Sequence, residues 1–222
     1  DFFQKREFIL LNSPILTQND CEGAGEGFIV SDAFSPDKKS FFNTTAILSV
    51  SGQLHAEGFA QCFKKVYTFG PTFRADKSNT KVHTSEFWMI EPEVAFATQK
   101  DGIKLVTDMI KAILASVYVE SEAELTFLSS VYEVDLLKRI KSVVDCEFVS
   151  ITYTEAVKIL NQQARFASKP VVWGQDLGKE HETYLCQHFG YKPVFVTDYP
   201  KDLKAFYMKT NVHDPKTVAC FD

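Results

Sequence analysis

The sequence has 222 residues, 45% hydrophobic and 24% charged, the make-up of a globular domain with enough chain to close a sizeable core. Its formal net charge of -5 argues against a chain-wide basic surface for nucleic acid, while leaving room for a local basic patch. Five cysteines, scattered, odd in number and without C-x-x-C spacing, argue against a disulfide framework or a zinc site and point to a reducing, intracellular setting.

Taken from the start, Asp1 to Arg6 lacks the basic-then-apolar layout of a signal peptide, and no later apolar run is long enough to span a bilayer. The expectation is a cytoplasmic protein without membrane contact, or one whose targeting segment is missing. Gly23-Ala24-Gly25 looks like part of a phosphate loop, but it precedes no evident helix and lacks the trailing Lys-Ser/Thr. The first strand signal is Ala46 to Ser51, where Ala46, Leu48 and Val50 alternate with a polar face of Ser49, Ser51 and Gln53.

Val66 to Arg74 follows, with Tyr67, Phe69, Pro71 and Phe73 on one face. Thr68, Gly70, Thr72 and finally Arg74 lie on the other, where small residues leave space for a ligand. A polar stretch with Asp76, Lys77, Lys81 and His83 reads as a long hairpin loop into Phe87 to Ala97. There Trp88, Ile90, Pro92, Val94 and Phe96 form an apolar face expected to pack on helices, and Phe87, Met89, Glu91 and Glu93 form the other. Side by side, the polar faces would floor a pocket. An arginine at the strand end can fork two donors onto a phosphate, His83 or a lysine can meet outer phosphates, and Phe87 can stack on a base. On pattern alone Arg74 also fits a solvated charge, and Glu91 with Glu93 fits a structural ion pair.

Beyond the hairpin, Ile103, Val106, Ile110, Ile113, Leu114 and Val117 recur at helical spacing and predict one buried helix face. Ser121 with Glu124, and Thr152 with Glu155, have capping-box spacing and predict two more helix starts. A further helix is expected from about Gly178 to Phe189, stopped by Gly190 in a left-handed cap. Half of a zinc-protease motif, His181-Glu182, fails because Leu185 stands where the second histidine belongs. Pro193 to Asp198, Ala205 to Thr210 and Thr217 to Asp222 predict the last strands. The whole reads as an α+β fold, a largely antiparallel sheet flanked by helices in one domain over 1–222, with a helix-rich segment at about 100–163.

Long blocks of this chain resemble the asparaginyl branch of the class II aminoacyl-tRNA synthetases, in the subgroup shared with aspartyl and lysyl enzymes. They are SPILTQNDCEGAGEGF, SVSGQLHAEGFA, VYTFGPTFRADKSNTKVHTSEFWMIEPEVAFA, WGQDLGKEHETYL and DYPKDLKAFYMKTN. The resemblance implies a synthetase that uses ATP and magnesium to make asparaginyl-adenylate and passes the amino acid to asparagine tRNA. By it, Arg74 holds the α-phosphate, His83 the γ-phosphate and Phe87 the adenine, with Asp76 in place of the family's usual glutamate. Glu22, Gln53 and Glu91 hold the amino acid, Lys77 and Lys81 meet the tRNA acceptor end, and Asp222 is the first of two magnesium-binding acids. Pro14 matches the first signature, which lies at a homodimer interface. Ala56, where aspartyl relatives carry lysine, favours an amide over a carboxylate side chain. The same resemblance makes this an incomplete catalytic domain, without the anticodon-binding barrel and the third signature, and expected to be inactive alone. The alternatives are an aspartyl enzyme, an asparagine-forming relative, or a non-catalytic paralogue.

Overall fold

A computed structural model describes residues 1–21, 27–34, 41–77, 83–132 and 134–222. The chain divides into two compact units, Asp1–Ala97 and Thr98–Asp222. In the first, strands β1 (Ile9–Leu11), β2 (Leu16–Thr17), β3 (Ile29–Val30) and β4 (Ala46–Leu48) precede helix α1 (Gln53–Phe63), then β5 (Lys65–Phe73) and β6 (Glu86–Val94). β5 and β6 form an antiparallel hairpin, and β1 lies parallel to β5 on its other edge. β4 sits between β2 and β3, antiparallel to both. The long hairpin keeps its register because one face is closed at its lower end: Val66 is buried there against Ala56 and Ala60 of α1.

That closure lies on the opposite side from the one expected. Within the described residues of the first unit, α1 does not cover the face bearing Trp88, Ile90 and Phe96. Phe3 stacks on Tyr67 at its foot, while Phe69 and Trp88 meet edge to face at 5.2 Å with Trp88 63% exposed. The small side chains of Ala56 and Ala60 let α1 approach the polar-bearing face instead, packing against Val66. Gln53 also departs from expectation. It opens α1 rather than extending a strand, because the Ser51 hydroxyl accepts the Gln53 N–H at 3.0 Å and turns the chain.

The second unit holds helices α2 (Gln99–Glu120), α3 (Glu122–Tyr132) and α4 (Leu136–Asp145), strand β7 (Val149–Thr152), helices α5 (Tyr153–Asn161) and α6 (Lys179–His188), and strand β8 (Val194–Thr197). β7 and β8 pair in parallel, as β1 and β5 do, beside the antiparallel pairs of the first unit. The predicted box at Thr152 and Glu155 caps α5, and an unpredicted one, Thr98 with Asp101, caps α2. Ser121 closes α2 with its N–H on the Val117 carbonyl, and α3 begins at the next residue, where the spacing predicts a helix start. Gly190 has φ +72°, the left-handed conformation that ends α6.

The predicted apolar stripe of α2 is half-buried, with Ile113 exposed. The deep core lies around α5, where Tyr153, Leu160, Leu185 and Val218 are buried almost completely. Segments 205–210 and 217–222 do not become strands; they make isolated bridges, Thr197 with Phe221, Pro200 with Thr217 and Thr210 with Val218. Pro200 has no N–H to extend a ladder, and the Asn211 side chain bonds Asp198 and Thr217 instead. Among the described residues, no helix is long and apolar enough to cross a membrane.

Candidate functional site

The part of the β5–β6 face above Val66 carries the expected groups, with Thr68 and Thr72 buried in it. Register places Thr72 opposite Phe87, Gly70 opposite Met89, Thr68 opposite Glu91 and Val66 opposite Glu93, so the polar faces read from the sequence do share one side. A carbon added at Gly70 would meet nothing within 4 Å, so the middle of this floor is open space. Arg74 leaves the end of β5 with its Nε donating to the Val50 carbonyl at 3.3 Å, and its guanidinium carbon lies 5.7 Å from the Phe87 ring centre. The backbone fixes this corner twice over. The Phe73 N–H donates to the Ser49 carbonyl at 2.9 Å and the Arg74 N–H to the Ser85 carbonyl at 3.0 Å.

Glu91 is held by donors on three residues. The Ser51 hydroxyl donates to Oε1, while the Gly52 N–H at 3.0 Å and the Thr68 hydroxyl at 2.9 Å donate to Oε2. A carboxylate offers about four lone-pair sites, so room remains for one further donor. Gly52 must be glycine for this to work, since a side-chain carbon there would lie 2.8 Å from Thr68 Oγ1 and 2.9 Å from Ser13 Oγ. Ser13 and Pro14 line a cleft of about 210 Å³ that reaches Glu91. The Ser51, Gly52 and Thr68 cradle escaped the sequence reading, although Ser51 and Thr68 each stood on a face already marked as polar.

Gln53 follows Gly52 as the first residue of α1, and its side-chain amide donates to Glu57 at 2.7 Å. Two acids therefore approach Glu93, whose carboxyl is pushed up to about 7 by burial first and then by Glu57 and Glu91. Ala56 is fully buried against the sheet.

Asp76, Lys77 and His83 are exposed at the mouth of the hairpin loop. Glu22 and Lys81 lie outside the described residues. Asp222 belongs to the second unit, where its carboxylate pairs with the Lys204 ammonium. Magnesium, which takes near-octahedral oxygen ligands, fits these residues poorly. Asp222 is a single carboxylate already matched by a cation, and no group of three or more His, Cys, Asp or Glu among the described residues is arranged to hold a metal.

Comparison with known proteins adds a family to this geometry. Relatives named asparagine–tRNA ligase from Mycoplasma mycoides and Mycoplasma capricolum are 51% and 52% identical over all of this chain, which covers 50% of each relative. The chain thus spans about half the length of the curated relatives it matches. The crystal structure of asparaginyl-tRNA synthetase from Pyrococcus horikoshii complexed with asparaginyl-adenylate superposes with a TM-score of 0.84 at 31% identity, over 100% of this chain and 46% of that one. A family profile described as tRNA synthetases class II (D, K and N) matches residues 1–222. With that match running its whole length, the chain belongs to the class II tRNA synthetases of the D, K and N group.

Proposed function

We propose that this chain is part of the catalytic domain of an asparagine–tRNA ligase, which activates asparagine with ATP and transfers it to the 3′ end of asparagine tRNA. The observation that carries the reading is the β5–β6 face. An arginine, an aromatic ring and a cradled carboxylate stand along an open floor, in a chain about half identical to asparagine–tRNA ligases.

On this reading Arg74 holds the α-phosphate through the displacement, and Phe87 lies under the adenine. The guanidinium stands beside the ring because the backbone at Phe73 and Arg74 is tied down on both sides. Glu91, kept in place by Ser51, Gly52 and Thr68, receives the ammonium of the amino acid at its remaining lone pair. The asparagine carboxylate then attacks the α-phosphorus and pyrophosphate leaves. Positioning and charge stabilisation supply the rate, and no protein nucleophile takes part. His83 meets the γ-phosphate, and Asp76 contributes near the adenine end. Glu22 and Gln53 complete the amino-acid pocket, Lys77 and Lys81 meet the tRNA acceptor end, and Asp222 is the acid assigned to magnesium. Buried Ala56 leaves the side-chain end of the pocket without a cation, which favours the neutral amide of asparagine over aspartate. A homodimer built around Pro14 in the cytoplasm completes the proposal.

ATP–pyrophosphate exchange on the natural full-length protein, with asparagine and aspartate supplied separately, tests the reading. Exchange dependent on asparagine is expected. Exchange with aspartate alone would make it an aspartyl enzyme, and exchange with neither would make it a non-catalytic relative.

A further inference from the structure

We propose that Trp173 is a stacking platform for an unpaired base of RNA, held out from the second unit by the loop 171–177. The inference rests on the reading of the chain as part of a tRNA ligase, and it gives that reading an RNA contact in the second unit.

Both ends of the loop are sunk in the core around α5, where Val171 and Leu177 are buried. Between them Val172 and Trp173 stand out, 57% and 41% exposed. Side chains of α5 hold this exposed stretch at three places. The Asn161 amide takes both polar groups of Val171, accepting its N–H and donating to its carbonyl, each at 2.9 Å. The hydroxyl of buried Tyr153 donates to the Gln175 carbonyl at 2.6 Å and accepts the Gly174 N–H at 3.1 Å. The Thr154 hydroxyl accepts the indole N–H of Trp173 at 3.0 Å. Gly174 makes the turn at φ +94°, and a carbon added there would meet nothing within 4 Å, so the space beside the indole is open.

The indole is thus aimed without being covered. Thr154 takes its N–H, and the Tyr153 ring meets it at 6.0 Å with 78° between the planes. What it offers a ligand is therefore π surface rather than a polar handle. Every nucleobase has a matching π face, and a ring fixed in advance loses little freedom on stacking. The charge of the surrounding sequence has the sign that RNA requires. Between 164 and 179 the chain carries Arg165, Lys169 and Lys179 against Asp176, all exposed, in a chain of net charge -5. Lys179 shares its charge with Glu182 at 3.7 Å. The Arg165 guanidinium lies over the rings of Phe166 and Tyr184, 4.8 and 5.3 Å from their centres, a stacking that leaves its edge for a phosphate.

The test is binding of an asparagine tRNA transcript to the natural full-length protein at fixed ionic strength, with asparagine-dependent pyrophosphate exchange measured on the same samples. Trp173→Ala and Trp173→Leu are expected to weaken RNA binding by about tenfold and leave exchange unchanged. Trp173→Phe, which keeps a stacking face in the same turn, should retain most of the affinity. The leucine and phenylalanine variants fill similar space, so a packing role for Trp173 would affect them alike and a stacking role would separate them. Unchanged RNA binding in Trp173→Ala, or equal binding by the leucine and phenylalanine variants, would overturn the platform while exchange still supports the ligase reading. Absence of exchange and of RNA binding in the unaltered protein would overturn the ligase reading, and this inference with it.

Discussion

The two units bury different things. Around α5 the second unit gathers Tyr153, Leu160, Leu185 and Val218 into a core, and its buried hydroxyls belong to Thr197, Thr217, Tyr153 and Tyr199. The first unit gives buried positions to Ser49, Ser51, Thr68 and Thr72, and the described apolar cluster beneath α1 is made of Ala56, Ala60 and Val66. Burying a hydroxyl is unfavourable unless it finds a partner. In the first unit Ser51 and Thr68 find Glu91 while Ser49 finds the Ser51 carbonyl, so part of the polar interior there positions a charged group, whereas the packing around α5 contributes stability. Stability and chemistry should therefore respond to substitutions in different places.

The largest expected effect is on the stability side. Leu160→Ala should lower the unfolding free energy by about 2–5 kcal/mol in urea melts, since the fully buried site around α5 can collapse only partly. Asparagine-dependent exchange by the fraction still folded should be unchanged. Arg74→Ala should do the reverse, costing about a hundred- to a thousandfold in exchange while leaving the urea midpoint in place. A joint loss in either variant would blur the division between the units.

Glu93→Gln sharpens the comparison because it sits where packing and charge meet. The folded-state carboxyl is raised above the ordinary 4.5 to about 7, so the folded form holds its proton more tightly than the unfolded chain does. The associated stability is fully present below the unfolded value and is lost as the pH rises through about 7. Glu93→Gln should flatten that slope and be more stable than the unaltered protein at alkaline pH, by roughly 1–3 kcal/mol. Unfolding at about pH 5 and about pH 8 measures it, and equal slopes in the two proteins would remove Glu93 from the account. Smallest is Thr68→Val, which deletes one donor to Glu91 and fills its space. It should raise the KM for asparagine several-fold and change stability by about 1 kcal/mol. An unchanged KM would make the hydroxyl structural only.

Much of the site was legible because strand periodicity is strict. Alternation alone put Thr68, Gly70, Thr72 and Arg74 on one side of β5 and Phe87, Met89, Glu91 and Glu93 on one side of β6, and the register sets those sides together. The capping residues of α5 and the glycine after α6 were legible for a similar reason, since each satisfies a local rule. What failed depends on long-range partners. Nothing local says which face of a hairpin a helix will cover, and two alanines on α1 decided it. Of the stretches from Pro193 onward, the first became β8, whereas those at 205–210 and 217–222 looked like strands but were reduced to bridges by Pro200 and the Asn211 side chain. The cradle around Glu91 draws its donors from two segments and a glycine amide, and backbone amides leave no mark in a pattern of side chains.

The most direct test is calorimetric binding of a non-hydrolysable asparaginyl-adenylate analogue to the natural full-length protein and to its Arg74→Ala, Glu91→Gln and Leu160→Ala variants. If the β5–β6 face is the adenylate site, the first two variants lose affinity by at least about tenfold, and folded Leu160→Ala binds like the unaltered protein. Unchanged binding in both Arg74→Ala and Glu91→Gln would contradict the account.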